Sequence, residues 1–128
     1  MTTDHNIWPT LSYDNALGAR EWLKRLGFTE GICVVADHDP ALVEHSEMLW
    51  PEGGRVAVSS RARGNEFITD RGTAGVYVVC DDPDAVYARA TSLGADLVRD
   101  LREEDYGSRG FSVRDAEGTI WSFGTYAG

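Results

Sequence analysis

Apolar positions along the chain follow two spacings, one helical and one strand-like. Two segments, YDNALGAREWLKRLGF and CDDPDAVYARATSLGA, carry apolar residues every three or four positions, which predicts one amphipathic helix in each. Gly27 and Gly94 close these segments and are natural helix ends, because glycine adopts the left-handed conformation without a side-chain clash. The apolar positions are Ala16, Ala19, Trp22, Leu23 and Leu26 in the first helix and Ala85, Val86, Ala90 and Leu93 in the second.

The two helical segments belong to an internal repeat. Asp14 and Asp81 precede the helices, and Gly27 and Gly94 end them, with an offset of 67 residues in both cases. Short β-branched and aromatic runs flank each helix and are separated by turn-forming clusters such as DHDP, PEGG and DAEG. Each half of the chain is therefore predicted to be a βαβββ module. The predicted strands are IWPTLSY, GICVVA, VEHSEMLW and RVAVSS in the first half, and AGVYVVC, ADLVRDL, GFSVRD and TIWSFGTY in the second.

Chain length sets the domain organisation. With 128 residues the chain has room for one domain with a hydrophobic core, but not for two independent domains. The polar segment RARGNEFITDRGT reads as a connection between the halves. We expect a single α+β domain over residues 1–128, with module one at about 5–60, a linker at about 61–72 and module two at about 73–127.

Charge narrows the range of partners. The chain has 21 acidic and 12 basic residues and a formal charge of -9, so its surface repels phosphate backbones and no nucleic-acid partner is expected. The same charge raises the local concentration of cationic small molecules. The opening MTTDHNIWPT has no basic stretch followed by an apolar run, and no later run approaches membrane-spanning length. A cytoplasmic location without membrane contact is the resulting expectation.

Reactive side chains show no pattern of nucleophilic catalysis. Cys33 and Cys80 each lie in an apolar run and are predicted to be buried reduced thiols rather than a disulfide or a metal pair. Neither has a basic neighbour in sequence that would lower its pKa, and no Gly-x-Ser-x-Gly motif is present. Arg109 is predicted to be structural, pairing with Asp105 or Asp115. No catalytic residue is assigned.

The ending YGSRGFSVRDAEGTIWSFGTY and the opening YDNALGAREWLKRLGF, set in two βαβββ modules, resemble the vicinal oxygen chelate superfamily of glyoxalase, bleomycin-resistance and ring-cleaving dioxygenase proteins. Ala116 and Thr119 stand where the family's ending has proline and asparagine. The resemblance implies a U-shaped mixed sheet that encloses a cleft, with the helices outside, and a two-fold homodimer. In the family's enzymes the cleft holds a divalent metal on His, Glu or Gln side chains of the first and last strands of each module.

Carried over to this chain, those metal positions hold Ile7, Ala74, Ser122 and a residue at or near Val58. None of these side chains binds a metal, so the resemblance implies no metal and no other cofactor here. His45 and Glu47 lie two apart on a predicted strand and therefore share one face. A metal site there would need a third ligand from elsewhere, such as His5 or His38, and we interpret the pair as polar groups of the cleft wall.

Strand alternation divides the other candidates between cleft and core. If Ser122 faces the cleft, Trp121 and Phe123 pack under the helix, and Trp22 is also predicted to lie in the core. The same alternation predicts an apolar cleft floor. Its expected residues are Ile7, Pro9, Leu11, Ala74, Val76 and Val78.

Two aromatic residues are predicted to contact a ligand. Trp50 ends a strand and Tyr106 stands at the mouth of the last hairpin, and flat rings supply contact area at low entropy cost and attract cations. Tyr106 and Gly107 lie beside the place where metal-free bleomycin-resistance proteins, which this chain resembles, have a Trp-Gly that stacks on the drug. The predicted ligand-binding residues are His45, Glu47, Trp50, Tyr106, Gly107 and Ser122.

The leading hypothesis is a metal-independent protein that binds a small aromatic or cationic molecule, such as an antibiotic, and sequesters it as bleomycin-resistance proteins do. Two alternatives stay open. One is a glyoxalase-type lyase or isomerase, or another metal-dependent enzyme of the superfamily. The other is an interaction module whose cleft is filled by its own side chains.

Overall fold

The computed structural model describes residues 7–128 and divides them into two units, one ending at Arg71 and one beginning at Gly72. The first unit contains β1 (Thr10–Tyr13), α1 (Ala16–Leu26), β2 (Thr29–Ala36), β3 (Asp39–Leu49), β4 (Arg55–Ser60) and a 3₁₀ turn (Arg61–Arg63). The second contains β5 (Gly75–Val79), α2 (Pro83–Ser92), β6 (Asp96–Glu103), β7 (Arg109–Arg114) and β8 (Ile120–Gly124).

Each unit builds one mixed four-stranded sheet with the same strand order. The first sheet runs β1-β4-β3-β2 and the second β5-β8-β7-β6. In both, the first and last strands of the unit pair in parallel and the other neighbours are antiparallel. The predicted α+β class and the tandem βαβββ modules are therefore confirmed.

Side-chain caps explain where both helices begin. The Asn15 side-chain oxygen accepts a hydrogen bond from the Gly18 amide at 3.0 Å, and the Asp82 carboxylate accepts one from Ala85 at 3.1 Å. Such caps satisfy amides that have no partner within the helix. Gly27, with a φ of 128°, ends the first helix as predicted. Neither helix, nor any other in residues 7–128, is long and apolar enough to cross a membrane.

The core of each unit lies between its helix and its sheet. Trp121 and Phe123 are buried as predicted, whereas Trp22 is only half-buried. Cys80 is buried, but the prediction of a buried Cys33 is wrong: this thiol is exposed because β2 is the edge strand of its sheet. Neither cysteine forms a disulfide. Other fully buried side chains are Tyr13, Leu23, Leu26, Val43, Met48, Val58 and Val113.

The segment after β4 is held to the first unit by Arg61. Its guanidinium donates to the Asp14 carboxylate at 2.6 Å, to the Ser12 carbonyl at 2.8 Å and to the Thr69 carbonyl at 3.2 Å. Ser12 and Thr69 also exchange two hydrogen bonds between amide and hydroxyl groups. These bonds bring residues 61–71, part of the predicted linker, onto the first strand.

Asp115 organises the turn between β7 and β8. One carboxylate oxygen accepts from the amides of Glu117 and Thr119, at 3.0 and 3.1 Å, and the other accepts from the buried Trp121 indole at 3.0 Å. The predicted partners of Arg109 are therefore wrong. Its guanidinium forms a two-point ion pair with Asp84 at 2.8 and 3.1 Å, which ties β7 to the start of α2.

Replacing Asp115 with asparagine is expected to destabilise the second unit. The amide group keeps the shape of the side chain, but its NH₂ donates and cannot accept, so the single remaining oxygen cannot serve both the turn amides and the indole, and one of these donors loses its partner. We expect a loss of about 1–3 kcal/mol in the free energy of unfolding, measured by urea denaturation. Asp105→Asn, at an exposed position, is the control and should change stability by less than about 0.5 kcal/mol. Equal stability of Asp115→Asn and wild type would contradict this role.

Candidate functional site

A concavity of about 330 Å³ lies on one face of the second unit, over β5, β8 and β7. Its wall combines aromatic rings, hydroxyl groups and glycine backbone, with one acid and one base. This mixture of flat apolar surface and a few polar groups is typical of small-molecule sites. The lining residues are Tyr77, Arg99, Glu104, Tyr106, Ser108, Gly110, Phe111, Ser112, Ser122, Phe123 and Gly124.

Tyr77 lines the concavity because of the strand register. The parallel pairing of β5 with β8 sets Tyr77 beside Ser122 and Val78 beside Phe123. Side chains alternate along a strand, so Val78 is buried on the opposite face, 7% exposed, while Tyr77 is 50% exposed. The predicted apolar floor of Ala74, Val76 and Val78 is therefore wrong by one residue, and such a slip exchanges the two faces completely.

The first unit shows the same one-residue difference. Thr10 pairs with Ala57, and Leu11 pairs with Val58 in the core. Thr10 and Tyr77 are separated by the repeat offset of 67 residues, so Ala57 is the structural counterpart of Ser122. Leu11, predicted to lie on the cleft floor, is instead buried in the core at 3% exposure.

The hydroxyl of Tyr77 is fixed by the end of the chain. It donates to the Tyr126 carbonyl at 2.7 Å, and the Ser108 hydroxyl accepts from the Tyr126 amide at 3.2 Å. Burial raises the pKa of Tyr77 above its ordinary value, so the phenol stays protonated and keeps donating. A Cβ at Gly124 would lie only 2.8 Å from the Tyr77 hydroxyl oxygen, so a residue with a side chain at this position would displace the Tyr77 ring.

Tyr106 stands at the rim on a tight turn. The Glu104 amide donates to the Ser108 carbonyl at 2.7 Å, and the Gly107 amide donates to the Glu104 carbonyl at 3.0 Å. Gly107 has a φ of 86°, a left-handed conformation that favours glycine. The Tyr106 ring is 66% exposed and meets the Tyr126 ring edge to face, with centroids 5.3 Å apart. Gly107 is not one of the lining residues; it shapes the turn that presents Tyr106.

The charged side chains at the concavity neutralise one another. Glu104 accepts from Arg99 at 3.0 Å and from Arg102 at 2.9 Å. The Glu104 side chain is 20% exposed and both arginines are half-exposed. The lining therefore carries one positive and one negative charge in contact, unlike the whole chain with its charge of -9.

Ser112 and Ser122 form the polar floor of the concavity. They are direct partners across the antiparallel β7 and β8 pair, and their hydroxyl oxygens lie 2.7 Å apart. Sequence reasoning selected Ser122 and missed Ser112. The observed register pairs Arg114 with Ile120, and this register brings the two serines together.

His45 and Glu47 lie in the first unit and contact each other as their spacing predicts. The imidazole Nε2 is 2.7 Å from one Glu47 oxygen, and Arg55 donates to the other at 2.6 Å. The guanidinium of Arg55 also lies 4.6 Å from the centre of the Trp8 ring. The hydrogen bond with His45 lowers the pKa of Glu47, Arg55 lowers it further and burial opposes both. Glu47 is therefore a carboxylate held between two cationic or polar partners.

Arg20, a residue that the sequence did not single out, fixes the backbone under this cluster. It is only 6% exposed and donates to the carbonyls of Glu47, Gly31 and Ile32 at 3.1, 3.3 and 3.4 Å. The register of β2 against β3 shifts between Glu30 and Cys33, and such an irregularity leaves carbonyls without a ladder partner. An arginine in an amphipathic helix normally faces solvent, so the pattern gives no signal for this role.

Trp50 lies in the core of the first unit. Its side chain is 8% exposed and packs on Phe28 with ring centroids 4.9 Å apart. It is thus placed away from solvent, unlike Tyr106. His38 is exposed in its turn, and His5 lies outside the described residues. Within residues 7–128, no three His, Cys, Asp or Glu side chains gather into a group that could hold a metal ion.

Comparison with known proteins gave structural likenesses only. No protein-family model matches the chain, and no curated protein sequence does. Among solved structures, TioX from Micromonospora sp. ML1 has a TM-score of 0.75 and 27% sequence identity, over 96% of this chain and 99% of that one. A member of the glyoxalase/bleomycin resistance protein/dioxygenase superfamily from Sphaerobacter thermophilus has a TM-score of 0.68 and 16% identity, over 97% of each chain.

A bleomycin-binding protein solved in complex with bleomycin is also similar, with a TM-score of 0.65 and 13% identity, over 96% of this chain and 99% of that one. At such identities the likeness concerns the fold. It confirms the α+β fold of two tandem modules, each with a four-stranded mixed sheet, that the resemblance implies.

Replacing Glu47 with glutamine is expected to destabilise the protein at neutral pH and much less in acid. The ionised carboxylate, whose pKa lies below its ordinary value of 4.5 in the folded chain, stabilises the fold above that value, and this contribution is lost as the pH falls through the lowered pKa. At pH 7 we expect a loss of about 1–3 kcal/mol, because charge-assisted hydrogen bonds are exchanged for weaker ones. Urea unfolding at pH 7 and below pH 4 measures the difference.

The matched control is Glu44→Gln, at an exposed position on the same strand. It should behave as wild type at both pH values. A Glu47→Gln variant as stable as wild type at pH 7, or equally destabilised at both pH values, would contradict the proposed stabilisation by the ionised carboxylate.

Proposed function

We propose that this chain, which has the fold of the vicinal oxygen chelate superfamily, is a binding protein that captures a small planar aromatic molecule in the concavity of its second unit. The observation that carries the proposal is the pair of exposed rings, Tyr77 and Tyr106, beside a floor of serine hydroxyls and glycine backbone. Aromatic faces of this kind bury a planar ligand with little loss of side-chain freedom. The complex of a similarly folded protein with bleomycin supports binding as the general role.

The lining favours an aromatic ligand more strongly than a cationic one. The chain's net charge of -9 attracts cations over a distance, and tyrosine faces attract them at contact. At the concavity itself, however, Glu104 is already paired with Arg99 and Arg102. No carboxylate of the lining is therefore left to neutralise a buried cation, whose desolvation is costly.

The proposal also includes that the ligand is bound without a metal ion. At the positions to which the superfamily's metal ligands carry over, this chain has Ile7, Ala74, Ser122 and a residue at or near Val58. A serine hydroxyl and a methyl group are poor ligands for divalent ions. His45 and Glu47 were predicted as ligand contacts, but they lie in the first unit, where Glu47 is bonded by His45 and Arg55, and they are not part of the proposed site. A homodimer in the cytoplasm completes the proposal and is open to measurement by light scattering.

Removing the Tyr106 ring is expected to weaken aromatic binding. In titrations with a panel of planar aromatic compounds, followed by calorimetry and by the rise in melting temperature, Tyr106→Ala should bind about 3- to 10-fold more weakly than wild type. Tyr106→Phe keeps the ring and should keep the affinity. Trp8→Ala removes an aromatic side chain of the first unit that is 39% exposed and serves as the control. Equal affinities in wild type and Tyr106→Ala would remove the concavity from the proposal.

Elemental analysis distinguishes capture from the enzymatic alternative. Protein purified without chelator is expected to carry no stoichiometric transition metal, and chelator should leave the affinity for the best compound of the panel unchanged. A glyoxalase-type lyase or isomerase needs its metal to polarise substrate oxygens. About one tightly bound metal ion per chain, together with loss of binding on chelation, would replace capture by that alternative.

A further inference from the structure

We infer that the Ser112 and Ser122 hydroxyl pair selects the ligand, favouring planar rings that carry a hydrogen-bond acceptor, such as a ketone oxygen, on their edge. The inference rests on the proposed capture of aromatic molecules and adds the chemical group by which one ring is distinguished from another.

The position of the pair makes it a recognition element. Both serines are half-buried, both line the concavity and they face each other across β7 and β8 with their oxygens 2.7 Å apart. Because the two serines belong to paired strands, their hydroxyl oxygens are already held in place, and ligand binding does not have to order them. A rigid polar group at the floor of an otherwise aromatic site fixes orientation as well as affinity.

Counting protons shows what the pair can offer. A serine hydroxyl has one proton and two lone pairs, so two hydroxyls bring two protons. One proton is used in the bond between the serines. Within residues 7–128, Ser112 and Ser122 make no other side-chain hydrogen bond, so the second proton has no partner in the protein. It can be donated to a ligand.

Three other polar side chains of the lining, Tyr77, Ser108 and Glu104, have partners within the protein. The Tyr77 hydroxyl donates to the Tyr126 carbonyl, and the Ser108 oxygen accepts from the Tyr126 amide. Glu104 accepts from two arginines. These groups hold the wall in place, whereas the serine pair has a donor to spare.

The spare donor penalises a purely apolar ligand. A ring that covers the floor displaces water from the hydroxyl, and a buried donor without an acceptor is among the least tolerated polar groups in proteins. A ring with an acceptor at that edge replaces the lost water. One neutral hydrogen bond of this kind corresponds to about a 3- to 10-fold gain in affinity.

Two ligands of nearly equal shape test the inference. 2-Acetylnaphthalene carries a ketone oxygen, and 2-ethylnaphthalene is its apolar counterpart. Affinities are measured by NMR titration on the amide signals of Gly110 and Gly124, which line the concavity. We expect wild type to bind the ketone about 3- to 10-fold more tightly than the hydrocarbon. In the double variant Ser112→Ala, Ser122→Ala this ratio should fall to about one, because both members of the pair are removed together.

The control is Ser92→Ala, at the exposed end of α2, which should keep the wild-type ratio. Amide spectra check that each variant is folded, and if the double alanine variant is not, the double variant Ser112→Val, Ser122→Val, which also removes both hydroxyls and suits a β-strand, takes its place. Equal affinities for the two ligands in wild type, or a ratio that survives loss of the serines, would overturn the selection and leave aromatic capture standing. Binding of neither ligand to wild type would overturn aromatic capture and the selection with it.

Discussion

The parallel pairing of the first and last strands of each unit is the constraint on which the rest of the site depends. A parallel pair cannot be closed by a tight turn, so the helix and two further strands lie between its members in the chain. The register of the pair then decides which residues share a face. In the second unit it places Tyr77 beside Ser122, with Val78 and Phe123 on the core side. A shift by one residue would bury the tyrosine and expose the valine.

Close backbone approach turns this register into a fixed geometry. Gly124 pairs with Gly110 across β8 and β7, and a Cβ at Gly110 would lie within 2.3 Å of the Phe123 carbonyl oxygen. At Gly124 the limiting atom is the Tyr77 hydroxyl oxygen, 2.8 Å from a Cβ at that position. Gly110 therefore permits the close approach of β7 to β8, and Gly124 leaves room for the Tyr77 hydroxyl, which reaches the Tyr126 carbonyl. The ring of the concavity is oriented before any ligand binds.

The sequence predicted the positions of the helices and strands well, but it predicted less well which side of each sheet a strand residue faces. Helix periodicity, the glycines after the helices and the turn clusters are local signals, and the two helices and eight strands of residues 7–128 occur close to where those signals place them. Which face a strand residue occupies depends on pairing with a distant strand, so Tyr77 was missed and Val78 was placed on the wrong side. The burial of Cys33 and the exposure of Trp50 were predicted wrongly for a related reason. An apolar run does not show whether its strand lies at the edge of the sheet, as β2 does. An aromatic residue at the end of a strand can still pack into the core, as Trp50 does on Phe28. The partner of Arg109 could not be predicted either, because the tertiary fold brings it together with Asp84, which lies 25 positions away in the chain.

The two units use the same place in the same topology for different chemistry. Ala57 and Ser122 are counterparts, and their antiparallel partners are Glu47 and Ser112. In the first unit the partner is a carboxylate whose two oxygens are both engaged, by His45 and Arg55, so the cluster satisfies itself. In the second unit the partner is a hydroxyl, and two hydroxyls together always retain one proton that the pair cannot use. A self-satisfied ion pair stabilises structure, whereas a spare donor beside exposed aromatic rings awaits an acceptor from outside the protein. This difference in hydrogen-bond capacity is the physical reason for assigning recognition to the second unit.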